Sequence, residues 1–140
     1  LFEDFYEDFD REKADHMCRA LQIDEGQRMK ALSKGTKEKV QLILVMSRRA
    51  KLYLLDEPEN SLSPEKQQEL VRFLEDSVRF FGCQLIMATH SPFLLSMRGA
   101  KIYDMDEEVV DVKRWTELAN VRSWYDFFKK HEREFGEQNR

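Results

Sequence analysis

The feature that most constrains the fold is a short apolar run that ends abruptly in two carboxylates. Residues 52–55 are Leu-Tyr-Leu-Leu, and Asp56, Glu57 and Pro58 follow directly. A continuous apolar run is typical of a parallel strand that is covered on both faces. Open α/β sheets bind their ligands at the carboxyl ends of such strands. The segment therefore predicts a buried parallel strand with an acidic end that faces a ligand.

The segments around this strand alternate between helical and strand patterns. Ser33 predicts the N-cap of a helix over residues 36–49, and a Ser-Pro pair at residues 63–64 predicts the start of a longer helix that Gly82 ends. A second apolar strand follows at residues 84–88. The predicted buried face of the longer helix comprises Leu70, Val71, Leu74, Val78 and Phe81. This order predicts an α/β fold with parallel strands and flanking helices.

Aromatic residues recur at helical spacing near both ends of the chain, and packing is their first interpretation. The N-terminal set is Phe2, Phe5, Tyr6 and Phe9, and it precedes a helical stretch at residues 11–21. The C-terminal set belongs to a predicted amphipathic helix and comprises Val121, Trp124, Tyr125 and Phe128. Short strands are predicted at residues 101–105 and 109–113.

Size and composition limit the class of protein. The 140 residues, 41% of them hydrophobic, are enough for one modest globular domain, and a start at Leu1 without methionine suggests a fragment. The formal net charge of −4 argues mildly against broad nucleic-acid binding. No apolar run approaches the length of a membrane span, and no signal-peptide pattern opens the chain. Two isolated thiols, Cys18 and Cys83, fit a reducing cytosol.

The acidic strand end has the layout of a Walker B element. In that layout Asp56 would hold Mg²⁺ through its water shell, and Glu57 would polarise an attacking water. Taken alone, these residues are explained equally well by a core strand that ends in an acidic turn.

Residues 32–36, Leu-Ser-Lys-Gly-Thr, lie at the start of the helix that precedes this strand. A helix N-terminus with a serine hydroxyl, a glycine that allows close backbone approach and free N–H groups is a natural phosphate site. An ordinary capped helix accounts for the pentad equally well, so its position in the chain carries more information than its composition.

The pentad, its helix and the acidic strand occur in an order that resembles the ATP-binding cassette (ABC) ATPases. In that family the pentad is the signature motif, usually Leu-Ser-Gly-Gly-Gln, which touches the γ-phosphate of ATP held by the partner subunit. Residues 60–64, Asn-Ser-Leu-Ser-Pro, occupy the place of the D-loop, which crosses the dimer interface. His90, after the second strand, matches the switch histidine that contacts the γ-phosphate. The resemblance implies a partial P-loop NTPase core of the RecA-like, ABC type.

The resemblance also implies ATP binding and hydrolysis, with ATP and Mg²⁺ as cofactors. Asp56 would anchor Mg²⁺, Glu57 would orient or deprotonate the water, and His90 would steady the γ-phosphate and that water. The partner implied is a second nucleotide-binding domain in a head-to-tail dimer. The other implied nucleotide contacts are Ser33, Lys34, Gly35, Thr36, Ser61 and Ser63.

The sequence departs from the family pattern in several places. It contains no Gly-x-x-x-x-Gly-Lys-Ser/Thr phosphate loop, so the strand that carries this loop is missing and the chain alone is expected to bind ATP poorly. No glutamine loop is identifiable ahead of the pentad. Lys34 and Thr36 replace the usual glycine and glutamine, and Ser63 stands where the D-loop usually has aspartate.

The resemblance implies three segments and two branches of the family. Residues 1–31 would end a helical (signature) subdomain, residues 32–118 would form the C-terminal half of the ATPase core, and residues 119–140 a C-terminal helix and tail. Residues 1–58 resemble nucleotide-binding subunits of bacterial ABC transporters, whereas residues 59–140 resemble soluble, AAA-family ABC-type ATPases. A recombined sequence, a designed sequence and an unfamiliar lineage would each explain this mixture.

The two branches lead to different partners but to one compartment. Either a membrane-transporter subunit or a soluble target would be the partner that the ATPase drives. The expected location is the cytoplasm, with attachment to the inner face of the membrane only through a transporter partner.

Two alternatives to an ATPase remain open on the sequence. The first is a catalytically inactive half-domain that acts as a binding module, since a missing strand leaves a sheet edge that invites association. The second is a nucleic-acid binder, which has little support beyond the basic pairs at residues 48–49 and 113–114.

Overall fold

The computed structural model describes residues 6–24 and 26–136, which fall into two compact units, Leu1–Met97 and Arg98–Arg140. The first unit contains helices α1 (Arg11–Ala20), α2 (Lys34–Met46), α3 (Pro64–Phe81) and α4 (Pro92–Leu95), and strands β1 (Leu52–Asp56) and β2 (Gln84–Ala88). The second unit contains strands β3 (Ile102–Asp104) and β4 (Asp111–Lys113), and helices α5 (Ala119–Lys130) and α6 (Glu132–Gly136). Single 3₁₀ turns occur at Met29–Ala31 and Trp115–Glu117. The predicted aromatic positions Phe2 and Phe5 lie outside the described residues.

Strands β1 and β2 form a parallel pair joined by α3, which confirms the predicted α/β class. The register aligns Leu52 with Gln84 at the start of the pair and Asp56 with Ala88 at its end. The backbone N–H of Glu57 extends the pairing by donating to the carbonyl of Ala88 at 2.9 Å. The C-terminal ends of both strands therefore lie on the same side of the sheet, which we call its carboxyl edge.

The predicted caps at Ser33, Ser63 and Gly82 are confirmed, because they depend on short-range chemistry, whereas α2 ends at Met46 and not at the predicted residue 49. The Ser33 hydroxyl accepts from the backbone N–H of Thr36 at 3.2 Å and starts α2. Ser63 caps α3 in the same way, with proline at the first helical position. Gly82 ends α3 in the left-handed region, at φ +60°, where a residue without Cβ pays no steric cost.

The core lies on one face of the two-stranded sheet. Inward-facing Tyr53 and Cys83 are buried there, together with apolar side chains from all four helices of the first unit. The opposite face is open, with Leu54 70% exposed and Ile86 52% exposed. The expectation that this apolar strand would be covered on both faces was wrong for the described chain, because none of the described helices buries Leu54 or Ile86.

The buried face of α3 differs from the predicted one. Its buried residues are Leu70, Phe73, Leu74 and Ser77. Val78 and Phe81 are exposed, and Val71 is only partly buried against the core. Small, polar Ser77 takes the inward position that a hydrophobicity pattern assigned to Val78, because the rotation of the helix is set by the partners it packs against. One such partner is His16 of α1, whose ring stacks on Phe73 with centroids 6.4 Å apart.

Lys13 of α1 is a charged residue inside this core, only 6% exposed. Its ammonium lies 4.6 Å from the ring centroid of Phe81 and 5.3 Å from that of Tyr53, and 3.5 Å from the Tyr53 hydroxyl. Aromatic faces attract a cation and offset part of its desolvation cost. Burial nevertheless lowers the pKa of Lys13 below its ordinary value of 10.5, because it disfavours the charged form.

This burial predicts a pH-dependent difference between the wild type and Lys13→Met. We expect the free energy of unfolding of the wild type to rise relative to that of the variant as pH increases from the lowered native pKa of Lys13 towards 10.5. Over that window the unfolded chain binds more protons than the native state, so raising the pH favours the native state. Urea unfolding of both proteins between pH 7 and 10 measures the difference. If the difference in unfolding free energy between the two proteins did not change with pH, the lowered native pKa of Lys13 would be contradicted.

The second unit is a β-hairpin followed by helices. Strands β3 and β4 pair antiparallel, and the Lys113 ammonium contacts Asp104 at 2.9 Å and also Glu107. In α5, Val121 is buried while Trp124 and Phe128 are half-exposed and stack on each other, with ring centroids 6.0 Å apart. Within residues 6–24 and 26–136, no helix combines the length and the hydrophobicity that a bilayer crossing requires.

Candidate functional site

The parallel register brings the predicted catalytic residues to one edge of the sheet. Asp56 and Glu57 end β1, and His90 follows two residues after Ala88, the partner of Asp56 in β2. All three predicted residues are exposed at this edge. Side chains at the carboxyl ends of neighbouring parallel strands are where α/β sheets bind their ligands. The edge is therefore both acidic and open to a ligand.

Glu57 adopts a backbone conformation that is rare for its residue type. Its φ is +42°, in the left-handed region, where a side chain costs about 1–3 kcal/mol. Its carboxylate accepts a hydrogen bond from the side-chain amide of Asn60 at 2.7 Å. Such strained residues concentrate at functional sites, where the surrounding structure holds them. Glu57 is thus fixed in place by both the sheet and the loop that follows it.

The predicted phosphate-binding pentad and the loop after β1 are in direct contact. A Cβ atom added to Gly35 would lie 3.0 Å from the Cβ of Ser61. The hydroxyl of Ser61 donates to the Glu38 carboxylate of α2 at 2.5 Å, and Ser61 is itself left-handed at φ +64°. A side chain at position 35 would therefore require Ser61 to shift, and glycine allows the start of α2 to approach this loop closely.

The other predicted residues of the pentad and loop have different surroundings. Ser33 and Thr36 hydrogen-bond to each other through their hydroxyls at 2.8 Å, and the Lys34 side chain is 94% exposed, with its ammonium 4.0 Å from Glu38. Ser63 is used as the cap of α3. The structure thus brings Gly35 and Ser61 together, whereas Ser63 serves a structural role and Lys34 extends towards solvent.

A groove of about 370 Å³ lies between α2 and the carboxyl end of β1. Its walls include the apolar side chains of Val45 and Leu54 and the acidic side chains of Glu38, Asp56 and Glu57. In residues 6–24 and 26–136, no three His, Cys, Asp or Glu side chains cluster closely enough to hold a metal ion by themselves. Mg²⁺ does not require such a cluster, because it keeps several waters and binds through one or two carboxylates and substrate phosphates. An exposed Asp56 at the strand end fits that kind of binding.

One residue of the site was missed by the sequence analysis. Glu59 is only 8% exposed, and its Oε1 accepts hydrogen bonds from the Thr89 hydroxyl and from the backbone N–H of Ser91 at 3.3 Å. A glutamate in a polar loop next to proline predicts exposure, so no sequence signal marks it. It links the loop after β1 to the loop that carries His90.

The close packing of Gly35 against Ser61 can be tested by adding a side chain at position 35. We expect Gly35→Ala to lower the free energy of unfolding by about 1–3 kcal/mol, because the steric cost exceeds the roughly 1 kcal/mol that alanine gains in a helix. Urea unfolding of the 140-residue chain measures this change.

The matched control for Gly35→Ala is the same substitution in a Ser61→Gly background. Removing the Ser61 side chain removes the clash, and glycine also suits the left-handed backbone at position 61. In that background Gly35→Ala should become neutral or stabilising. An equal loss in both backgrounds would show that the two residues do not pack together.

The fold and this edge define a class of protein. Three features belong together here: parallel strands with flanking helices, carboxylates at a strand end, and a capped first turn of α2 that packs against the loop after β1. They form part of a P-loop ATPase core of the ABC type. The chain belongs to the family described as "AAA domain, putative AbiEii toxin, Type IV TA system", whose sequence model matches residues 15–96. That match is continuous across residues 58–59, where the sequence resemblance changes branch.

Proteins similar to this chain include ATP-binding proteins of transport systems and a factor from yeast. CCR4-associated factor 16 of Saccharomyces cerevisiae is 34% identical over 120 residues, covering 80% of this chain and 41% of that protein. The phosphonates import ATP-binding protein PhnC of Alcaligenes faecalis is 26% identical over 106 residues, covering 69% and 38%. The energy-coupling factor transporter ATP-binding protein EcfA1 of Methanospirillum hungatei JF-1 is 31% identical over 75 residues, covering 54% and 27%. The chain thus spans between 27% and 41% of these relatives.

Two solved structures with a similar fold come from SMC ATPases. The SMC head domain from Thermotoga maritima aligns with a TM-score of 0.57 and 19% identity, over 78% of this chain and 48% of that one. A structure from work on ATP-driven dimerization and DNA-stimulated activation of SMC ATPases aligns with a TM-score of 0.53 and 18% identity, over 76% and 65%. The predicted resemblance to ABC-type ATPases and the partial P-loop fold are both confirmed.

Proposed function

We propose that this chain supplies the C-terminal half of an ABC-type ATP-hydrolysing site. The observation that carries the proposal is the sheet edge that Asp56, Glu57 and His90 share through the β1–β2 register. The contact between Gly35 and Ser61 supports it further, because it joins the pentad to the loop after β1. ATP is the substrate, and Mg²⁺ binds with it.

Each residue at the edge has a proposed role. Asp56 would hold Mg²⁺ through water, and the bound ion would neutralise charge on the phosphates. Glu57, fixed by the Asn60 amide at 2.7 Å, accepts the proton of the attacking water or orients that water. His90 donates a hydrogen bond to the γ-phosphate and helps to place the water. Positioning and charge stabilisation are the main contributions of a protein to phosphoryl transfer.

The remaining contacts in the proposal come from across a head-to-tail dimer. The exposed start of α2 presents the Ser33 hydroxyl, the backbone around Gly35 and the side chains of Lys34 and Thr36 to a nucleotide held by the other copy. Residues 60–63 lie at that interface and include Ser61 and Ser63. A helix N-terminus suits this role, because its unpaired N–H groups favour an anion.

The proposed site needs a phosphate loop that residues 1–140 do not contain. In the described residues β1 and β2 form a sheet of two strands, so each has an unpaired edge where a further strand can add. We propose that a segment outside these 140 residues, or another polypeptide, supplies that strand and its loop. The work performed by the ATPase is then transport or a soluble process, and its location is cytoplasmic or at the inner membrane face through a transporter partner.

ATP turnover by the 140-residue chain, compared with turnover by the chain extended through its native upstream coding region, tests the proposal. The extended protein should hydrolyse ATP in the presence of Mg²⁺, and the chain alone should not. The control is the extended protein with the lysine of its phosphate loop replaced by alanine, which should lose turnover. An extended protein that neither binds nor hydrolyses ATP would refute the proposal.

The open sheet face favours one alternative. Leu54 and Ile86 are exposed apolar residues on neighbouring strands, and contiguous exposed apolar surface marks association sites. In this alternative the chain is a non-catalytic binding module that joins another protein through that face. An extended protein that carries no phosphate loop, together with a stable complex that Leu54→Asp disrupts, would favour the alternative.

A further inference from the structure

A hydrogen-bonded network joins the loop after β1 to the loop after β2. Glu59 begins it, with Oε1 accepting from the Thr89 hydroxyl and from the Ser91 backbone N–H at 3.3 Å. The Ser91 hydroxyl donates to the Gln67 side-chain carbonyl at 2.7 Å, and the Gln67 amide donates to the backbone carbonyl of Leu62 at 3.1 Å. The loop after β1 is therefore connected to the second loop at both of its ends, by Glu59 directly and by Leu62 through α3.

His90 lies between the two anchored residues of the second loop. Thr89 and Ser91 flank it, and the Ser91 N–H also contacts the Thr89 hydroxyl at 3.1 Å. Ser91 is 7% exposed and caps α4, so the backbone on the far side of His90 is held as well. The imidazole is exposed while its neighbours on both sides are fixed to Glu59. Moving Glu59 therefore moves the backbone that carries His90.

Burial makes this connection costly to break. Glu59 is 8% exposed, and its second oxygen, Oε2, is buried with no hydrogen-bond partner among the described residues. A buried carboxyl loses its hydration, and hydrogen bonds to charged groups are worth more than those between neutral groups. The Thr89 and Ser91 donors offset that cost only while both loops keep their relative position.

We propose that Glu59 is a positioning residue that couples the loop carrying Asn60 and Ser61 to the loop carrying His90. It does not touch the nucleotide, and it sets where His90 stands relative to the acidic end of β1. The proposal rests on the proposed ATPase function for its catalytic consequence. The coupling of the two loops can be tested without ATP.

The first measurement uses the 140-residue chain and follows amide hydrogen exchange at Ser91 by NMR. Glu59→Ala should raise the Ser91 exchange rate about tenfold or more, because this amide loses its carboxylate acceptor and its other acceptor, the Thr89 hydroxyl, loses the partner that holds it. Thr89→Val removes the hydroxyl partner and leaves the carboxyl in place, so it provides a second variant should Glu59→Ala fail to fold. The matched control is Asp76→Asn, an exposed carboxylate on α3, which should leave exchange at Ser91 unchanged.

The second measurement is steady-state ATP hydrolysis by the chain extended through its upstream coding region. Glu59→Ala and Thr89→Val should each lower kcat about tenfold with less than a twofold change in KM, and the double variant should be no worse than the stronger single one. A general loss of folding would instead reduce the active fraction, which titration of bound ATP reports. Asp76→Asn should match the wild type.

The two measurements separate the failure of this inference from the failure of the ATPase proposal. Unchanged Ser91 exchange in folded Glu59→Ala overturns the coupling, whatever the turnover. Unchanged kcat in Glu59→Ala, with an active wild type, overturns the positioning role and leaves the ATPase proposal standing. An inactive extended wild type removes the ATPase proposal and with it the catalytic consequence, while the exchange result still decides whether Glu59 joins the loops.

Discussion

Glu57→Gln in the extended protein is expected to lower kcat for ATP hydrolysis by a factor of about 10²–10⁴, the usual contribution of a general base. ATP should remain bound, because the substitution removes the proton acceptor and leaves the phosphate contacts in place. Nucleotide trapping on a filter, measured alongside turnover, separates a loss of chemistry from a loss of binding. A variant with normal turnover would refute the role of Glu57.

The structure makes this substitution a clean test of the carboxylate. Glu57 accepts from the Asn60 amide at 2.7 Å, and a glutamine can turn its carbonyl oxygen to the same donor. The substitution alters only the end of the side chain, so we expect position 57 to keep its left-handed backbone and the loop to keep its geometry. Asp76→Asn is the matched control, since it neutralises an exposed carboxylate on α3 and should keep wild-type turnover.

Leu74→Ala is expected to reduce the free energy of unfolding of the 140-residue chain by about 2–5 kcal/mol. Leu74 is fully buried in α3, and it belongs to the core that packs against the inner face of β1 and β2. The loss combines the transfer free energy of the removed methyl groups with the cavity they leave. Urea unfolding followed by circular dichroism measures it.

The comparison for Leu74→Ala lies one turn along the same helix. Val78 is 42% exposed, so Val78→Ala should cost less than about 1 kcal/mol. A hydrophobicity pattern places both residues on the buried face, so the pair also tests the rotation of α3. Equal losses at the two positions would mean that α3 packs as the sequence pattern predicts and not as the structure describes.

Some features of this molecule depend on neighbours along the chain and are predictable for that reason. Ser33, Ser63 and Gly82 satisfy the ends of their own helices, and the apolar run before Asp56 is a strand in its own right. The carboxyl edge follows from these elements, since two parallel strands joined by one helix must end on the same side.

Other features depend on residues that are distant in sequence. The burial of Glu59 follows from Thr89 and Ser91, which lie in a different loop, and the limited space for a side chain at position 35 follows from Ser61. The open outer face of β1 was not predictable from its apolar run, because composition records what a strand can bury and not whether an element is present to cover it.

The seating of Gly35 against Ser61 has a mechanical consequence for a two-site enzyme. In the proposed head-to-tail pair, the first turn of α2 meets the nucleotide of the opposite copy, while the loop after β1 borders the catalytic glutamate of its own copy. Since the Ser61 side chain lies directly against the Gly35 backbone, neither segment can move towards the other without displacing it. Nucleotide binding at one site would then be transmitted to the other site through a single steric contact. The two sites would therefore hydrolyse ATP together and not independently.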